Sequence, residues 1–233
     1  MVIDLSNPGC LPVEYRDKLN AISPKIWTSE FSDDVVKHRV VSPIVKRIHE
    51  FCMAGRVIGI HCTRAEQFDI QQRGLLIRTG EEIHQHFLSQ HSHRFSPAEI
   101  DRIKAGWEEY FSPQQIAARD GRIWFNFTKR ALLDGGAKPL LEMYGGEQIS
   151  MCFRRDCVIG KKLSIIGEPL VVSCALSPSD VKTYIPYAWG QILVSSYHKQ
   201  RNPRACRIDQ DGSQRVPVLP QNIIGIEALT KCF

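Results

Sequence analysis

Gly59-Ile60-His61-Cys62-Thr63-Arg64 is the stretch on which the reading of this chain turns. It closes the apolar run 57–60 and opens a polar segment that ends at Arg73-Gly74-Leu75-Leu76. The pattern predicts a short strand over 56–61 with His61 at its end, a hydroxyl residue (Thr63), then a short helix. Adjacent residues on a strand point to opposite faces, so His61 and Cys62 are not expected to pair as a thiol–imidazole dyad.

Working outward, Ser-Pro recurs as a helix start. Ser96-Pro97-Ala98-Glu99 has a capping Ser, Pro in the first turn and Glu three residues after the cap, which is a capping box. The helix behind it places Ile100, Ile103, Trp107 and Tyr110 on one face. Ser112-Pro113-Gln114-Gln115 repeats the signal for a shorter helix, and Ser42-Pro43 opens another with Ile44, Ile48 and Phe51 inward and Gly55 near its end. Strands are predicted at 56–61, 122–128, 148–154, 170–176, 205–209, 214–218 and 222–229, with a hairpin turn at Asp211-Gly212. They do not alternate with long helices, and no Gly-x-Gly-x-x-Gly follows the first, which argues against a dinucleotide-binding doubly wound sheet. The expected class is α+β: two small packed antiparallel sheets forming a cleft, with flanking helices and a helical insertion at 80–120.

The bulk numbers narrow the class further. A length of 233 residues suits a single domain over 1–233, and 43% hydrophobic with 24% charged residues is ordinary for a globular chain. No apolar run approaches the roughly 18 residues that span a bilayer, so no membrane partner is expected. Met1-Val2-Ile3-Asp4-Leu5 lacks the basic-then-apolar pattern of a secretory signal. Cysteines at 10, 52, 62, 152, 157, 174, 206 and 232 are scattered without a Cys-x-x-Cys pair, which reads as reduced thiols in a cytoplasmic protein. Two of them, Cys52 and Cys174, sit among apolar neighbours, where Cys acts as a small hydrophobe. The net charge of +5 permits an anionic partner without requiring one.

A His at a strand, then a small hydroxyl residue, a short helix and a Gly-Leu exit resembles the first motif of NAD-dependent ADP-ribosyltransferases of the diphtheria-toxin and poly(ADP-ribose)-polymerase branch. The resemblance implies that His61 grips a ribose of NAD with Thr63 beside it, Cys62 and Arg64 flanking, and Arg64 toward the pyrophosphate as a bidentate donor. Gly121-Arg122-Ile123-Trp124-Phe125-Asn126-Phe127-Thr128-Lys129-Arg130-Ala131 is similar to the family's second, strand-then-helix motif. On that alignment Thr128 takes a Ser position and Tyr144 closes the block, as the ring facing nicotinamide, with Phe127 as substitute. Where the family has a strand Tyr, this chain has Phe or Trp. The turn 218–226 is similar to the third motif, which in the family carries a catalytic Glu; here Gln221 stands in its place. Gln bonds a ribose hydroxyl but brings no charge to an oxocarbenium-like state, and losing such a partner typically costs ~10²–10³-fold in rate. Glu147, after Gly145-Gly146, is the best carboxylate to take over, with Glu227 second.

The implied activity is a transferase of the glycosyltransferase class. It consumes NAD as substrate and passes ADP-ribose to a macromolecular acceptor, protein or nucleic acid, in the toxin or defence setting where small transferases of this build occur. Two other readings stand beside it. An RNA 2′-phosphotransferase-like enzyme also uses NAD and relies on Arg and His rather than Glu. A non-catalytic module would read NAD, ADP-ribose or nucleic acid. His84, His86, His91 and His93 suggest a metal only superficially, because helical residues two apart point about 200° apart, and no carboxylate or Cys completes a zinc spacing. No metal is expected.

Overall fold

Residues 1–229 are described in the computed structural model, and they form an α+β fold. Cys232 lies outside the described residues; among the described residues no disulfide joins the other seven cysteines. The chain begins with β1 (Val2–Ile3), α1 (Val13–Asn20), α2 (Ser32–Lys37), α3 (Ser42–Met53) and β2 (Arg56–Ala65). Four helices follow: α4 (Gln67–Arg73), α5 (Gly80–His91), α6 (Pro97–Tyr110) and α7 (Pro113–Arg119). Next come β3 (Ile123–Asn126), α8 (Arg130–Leu133), α9 (Lys138–Leu141), α10 (Gly146–Ser150) and α11 (Ile159–Leu163). The chain continues with β4 (Glu168–Leu176), β5 (Val181–Lys182), α12 (Ala188–Arg201), β6 (Asp211–Gln214) and β7 (Ile223–Ala228).

The expectation of two sheets gives way to one seven-stranded sheet in the order β5-β6-β3-β2-β4-β7, with β1 also paired to β2. The reason is the length of β2. It does not stop at His61 but runs ten residues to Ala65, long enough to pair with β1, β3 and β4 in one sheet. β1 pairs parallel at Val2↔Arg56 and Ile3↔Val57. β3 pairs antiparallel at Ile60↔Asn126.

The chain divides into two compact units. The first comprises Met1–Ile60, Trp124–Arg130 and Cys174–Ser213; the second comprises His61–Ile123, Ala131–Ser173 and the chain from Gln214 on. In the first, α12 is buried on every side, from Ala188 and Trp189 to Tyr197 and His198, as a core helix must be. It lies against α3, whose inward ridge is Val45, Ile48 and Cys52 rather than Ile44, Ile48 and Phe51. The ridge is turned by one residue because α3 packs where Gly190 lets the two backbones approach: a Cβ there would lie 2.0 Å from the Val45 carbonyl oxygen. Phe127 meets Trp189 edge-on at 4.7 Å.

The second unit has its own apolar cluster, built from Phe87, Phe95, Ile103, Trp107, Tyr144, Ile149, Phe153, Ile159 and Leu163 among others. The capping box at Ser96 forms as expected, with Glu99 reaching back to the Ser96 amide at 2.7 Å. Ser112 caps α7. Ile103 and Trp107 carry the buried face of α6.

Several predicted strands are corrected. Over 148–154 the chain is α10 followed by a 3-10 turn, Met151–Phe153. Ile149, Met151 and Phe153 alternate as a strand would, but Ile149 and Phe153 are also four apart, and the core takes both from a helix. Gly145 and Gly146, at φ 75° and 55°, turn the chain into it. At 205–209 only an isolated bridge to Phe31 forms at Cys206, because α12 side chains satisfy the backbone. Ser195 Oγ accepts from the Ile208 amide and Lys199 Nζ donates to the Ala205 carbonyl. Asp211-Gly212 is strand β6, not a turn; Gly212 is small because a Cβ there would crowd the Lys182 carbonyl at 2.9 Å and the Phe127 ring at 3.1 Å. Of the strand expected at 214–218, Gln214 ends β6 and Val218 forms an isolated bridge with Leu75.

Candidate functional site

β2 sorts the first motif by face. Its burial alternates, with His61, Thr63 and Ala65 on the half-buried side and Ile60, Cys62 and Arg64 on the buried side. His61 and Thr63 can therefore meet one ligand together, and Cys62 cannot join them. Cys62 is a core thiol whose pKa burial pushes up to about 11. Arg64 is 8% exposed. Its Nε donates to the Ile166 carbonyl at 2.9 Å and its Nη1 to the Leu141 carbonyl at 3.5 Å. That guanidinium ties β2 to the end of α9 and to the turn before β4, which is a structural use in place of the expected pyrophosphate contact.

The Gly145 amide donates to the Arg64 carbonyl at 3.0 Å, which docks Tyr144-Gly145-Gly146-Glu147 onto the end of the strand that carries His61 and Thr63. Neither glycine tolerates a side chain easily: both are left-handed, and a Cβ on Gly145 would strike Ile149 at 2.3 Å. Tyr144 is 9% exposed. It packs edge-on against His91 at 4.6 Å and near Phe87 at 5.8 Å. Burial, then the charges of Asp69 and Glu66, raise its pKa to about 12, so the phenol stays neutral. Tyr144 thus anchors this segment in the core, and the group the segment offers to solvent is Glu147. The Glu147 carboxylate accepts from Arg119 Nε at 3.0 Å, the two side chains being 40% and 20% exposed.

The third motif lies on the 3-10 turn Pro220–Asn222, where Gln221 is exposed. This turn and β7 border a groove of about 280 Å³ lined by Gln67 and Gln71 of α4 together with Pro220, Ile223, Ile224 and Ile226. Glu227 is exposed on β7. Phe127 and Thr128 belong to the first unit and are buried there, Thr128 Oγ1 donating to Asp209 Oδ1 at 2.9 Å. In the second unit, His61 and Thr63 thus share one face of β2, and the backbone bond at Arg64 sets the segment from Tyr144 to Glu147 against the end of that strand.

Sequence reasoning missed Arg119 and Asp120. Asp120 Oδ1 accepts from the Gly80 amide at 2.9 Å and from Gln148 Nε2 at 3.3 Å. Both contacts span tens of residues, so no local signal announces them. The capping box at Thr79 and Glu82 does carry a local signal, the same Ser/Thr-x-x-Glu spacing as at Ser96.

The histidine cluster resolves by face. His84 and His91, seven apart on α5, turn inward, while His86 is half-buried and His93 exposed. His84 stacks on Trp107 at 3.8 Å, and its Nε2 donates to the Gln148 carbonyl at 2.8 Å. Among the described residues no group of three or more His, Cys, Asp or Glu could hold a metal ion.

Burial holds His49, His84, His86, His91 and His198 below their ordinary pKa of 6.5. In His198 the Nε2–H faces the Trp27 carbonyl at 3.0 Å, and Nδ1 accepts from the Ser32 hydroxyl at 2.9 Å. The unfolded chain binds more protons than the folded one below about pH 6.5, so stability is fullest above that pH and falls as pH drops. The urea midpoint is expected to decrease from pH 8 to pH 5.5. A midpoint that is flat or rises over that window contradicts the assignment.

Among the described residues no helix is long and apolar enough to cross a membrane. No family profile, no curated protein and no solved structure matches the chain.

Proposed function

We propose that this chain is an NAD-dependent ADP-ribosyltransferase that passes ADP-ribose to a macromolecular acceptor, on an ADP-ribosyltransferase-like variant of the α+β fold. The observation that supports it most is the 3.0 Å bond from the Gly145 amide to the Arg64 carbonyl. It joins the first-motif strand to the segment that ends in Glu147.

In this reading His61 and Thr63, side by side on one face of β2, bond ribose hydroxyls of NAD. Tyr144 fixes the turn. Glu147, half-exposed and oriented by Arg119, supplies negative charge to the oxocarbenium-like ribose as the bond to nicotinamide breaks. The acceptor's oxygen or nitrogen then bonds the anomeric carbon, and its proton passes to the carboxylate. Fixed geometry supplies much of the acceleration, because nucleophile and electrophile are held together.

Incubation with NAD labelled in the ADP-ribose part, followed by fractionation of the label into protein, DNA, RNA and free ADP-ribose, tests the assignment. Label in a macromolecular fraction, with release of nicotinamide, is expected; intact NAD in every fraction overturns it. His61→Ala should weaken NAD binding by about 1–3 kcal/mol, the cost of leaving a partly desolvated hydroxyl unpaired. Calorimetry on the folded variant measures it, and unchanged affinity assigns His61 a structural role instead.

A further inference from the structure

We propose that the aromatic face of the first unit is a binding platform for single-stranded nucleic acid, with Trp124 and Tyr184 stacking bases and Lys182 and Lys46 meeting phosphates. The claim concerns binding alone and does not depend on NAD cleavage.

The strand pattern sets the platform up. Along β3, Ile123 and Phe125 are buried and Trp124 and Asn126 are half-buried on the other face. The chain has four tryptophans. Trp27, Trp107 and Trp189 are between 2% and 4% exposed, so Trp124 is the one outside the core. Its ring is nearly parallel to that of Tyr184, 10° between planes with centroids 6.2 Å apart. Tyr184 itself is 55% exposed. Two near-parallel rings at the surface give a base a flat face to continue the stack, and every base has such a face whatever the sequence. A duplex hides those faces, so the occupant is single-stranded.

Three residues further on, Tyr187 is 42% exposed. Among the described residues it is the one non-glycine with positive φ, at 53°. A left-handed backbone is disfavoured for a side chain with a Cβ, and such outliers concentrate at functional positions. Lys46 Nζ stands 5.2 Å from the Tyr187 ring centroid, and His49 packs edge-on at 5.6 Å. Lys182, exposed on β5, precedes Tyr184 by two residues. Exposed Glu50, Asp180 and Asp211 are near in sequence or strand pairing, which keeps the patch from being a bare cation surface and leaves the rings as the main source of affinity. Stacked rings at the surface with an exposed lysine two residues from one of them suit a polyanion with aromatic bases; a neutral sugar or apolar peptide would find no use for the ammonium group.

Titrating the full chain with fifteen-residue oligo(dT) and oligo(U), and reading tryptophan fluorescence, tests this. Saturable quenching by either oligonucleotide is expected, because Trp124 is the ring a base can reach. Tyr184→Leu, at an exposed position that leaves the core intact, should weaken binding about tenfold. Lys182→Gln should lower the slope of log affinity against log salt by about 0.7, the single-strand value for one phosphate. Circular dichroism confirms that both variants fold. The proposal is overturned by no quenching from either oligonucleotide, or by both variants binding as wild type does. It is equally overturned if a duplex of the same charge binds as tightly as the single strand, or if an uncharged oligosaccharide or apolar peptide quenches where the oligonucleotides do not.

Discussion

Glu147→Gln is expected, on the proposed transferase reading, to lower nicotinamide release from NAD by about 10²–10³-fold while leaving NAD bound, because the amide would keep the shape and hydrogen-bonding capacity but remove the charge from the reacting ribose. Its ion pair with Arg119 is partly solvent-exposed, at 40% and 20% for the two side chains, and such pairs contribute only about 0–1 kcal/mol to stability. A large loss of activity in a variant that melts like wild type is therefore a chemical effect. Gln221→Glu is the companion measurement. Gln221 sits exposed on the turn beside α4, so its conversion should leave the rate near wild type. If Gln221→Glu instead raises the rate about tenfold and Glu147→Gln does nothing, the carboxylate belongs at 221, as the family's third motif has it. If neither variant nor wild type releases nicotinamide although all bind NAD, the chain is a binding module.

Gly190→Ala is expected to cost about 3 kcal/mol of stability, near the upper end of what overpacking a core usually does. The added Cβ would lie 2.0 Å from the Val45 carbonyl oxygen and 2.9 Å from the His49 amide nitrogen. Both obstacles are backbone, so no side chain can swing aside; α12 and α3 must separate, and α12 is buried all round. For a chain of this size the loss corresponds to a fall in melting temperature of about 6–12 °C. Gly225→Ala is the control. Nothing lies within 4 Å of its added Cβ, and its effect should stay within about 0.5 kcal/mol. Equal melting temperatures for the two variants would mean that the α3–α12 contact is looser than the 2.0 Å approach requires.

The candidate site was legible only in pieces. The family resemblance alone pairs His61 with Thr63, since the strand expected from the sequence ends at His61; the longer β2 puts both on one face. Cys62 and Arg64 were drawn in by adjacency in sequence, although alternation sends them to the other face, where Arg64 spends its donors on the Ile166 and Leu141 carbonyls. The resemblance to the second motif makes Tyr144 a ligand-facing ring; the core cluster claims it instead. Thr128 looked like a cofactor hydroxyl, and its partner turned out to be Asp209, 81 residues away.

What the sequence determined by itself is what four or five neighbouring residues can enforce. The Ser96 box and the Ser112 cap satisfy amides within their own first turn. The cores of β2, β3, β4 and β7 lie where β-branched and aromatic runs placed them. Tertiary structure decided everything that needed a distant partner. Residues 148–154 carry apolar side chains at both strand and helix spacing, and packing of Ile149 and Phe153 into one cluster chose the helix. α12 has no side-chain cap at its start, and its place is set by a backbone approach to α3 that only Gly190 permits. The strands expected in two sheets joined one because β2 is long enough to serve three partners. Arg119 reached Glu147 across 28 residues because α7 and α10 fold onto the same unit. Local sequence encodes hydrogen bonds that close within a turn; burial is shared between segments, and no single segment specifies with whom.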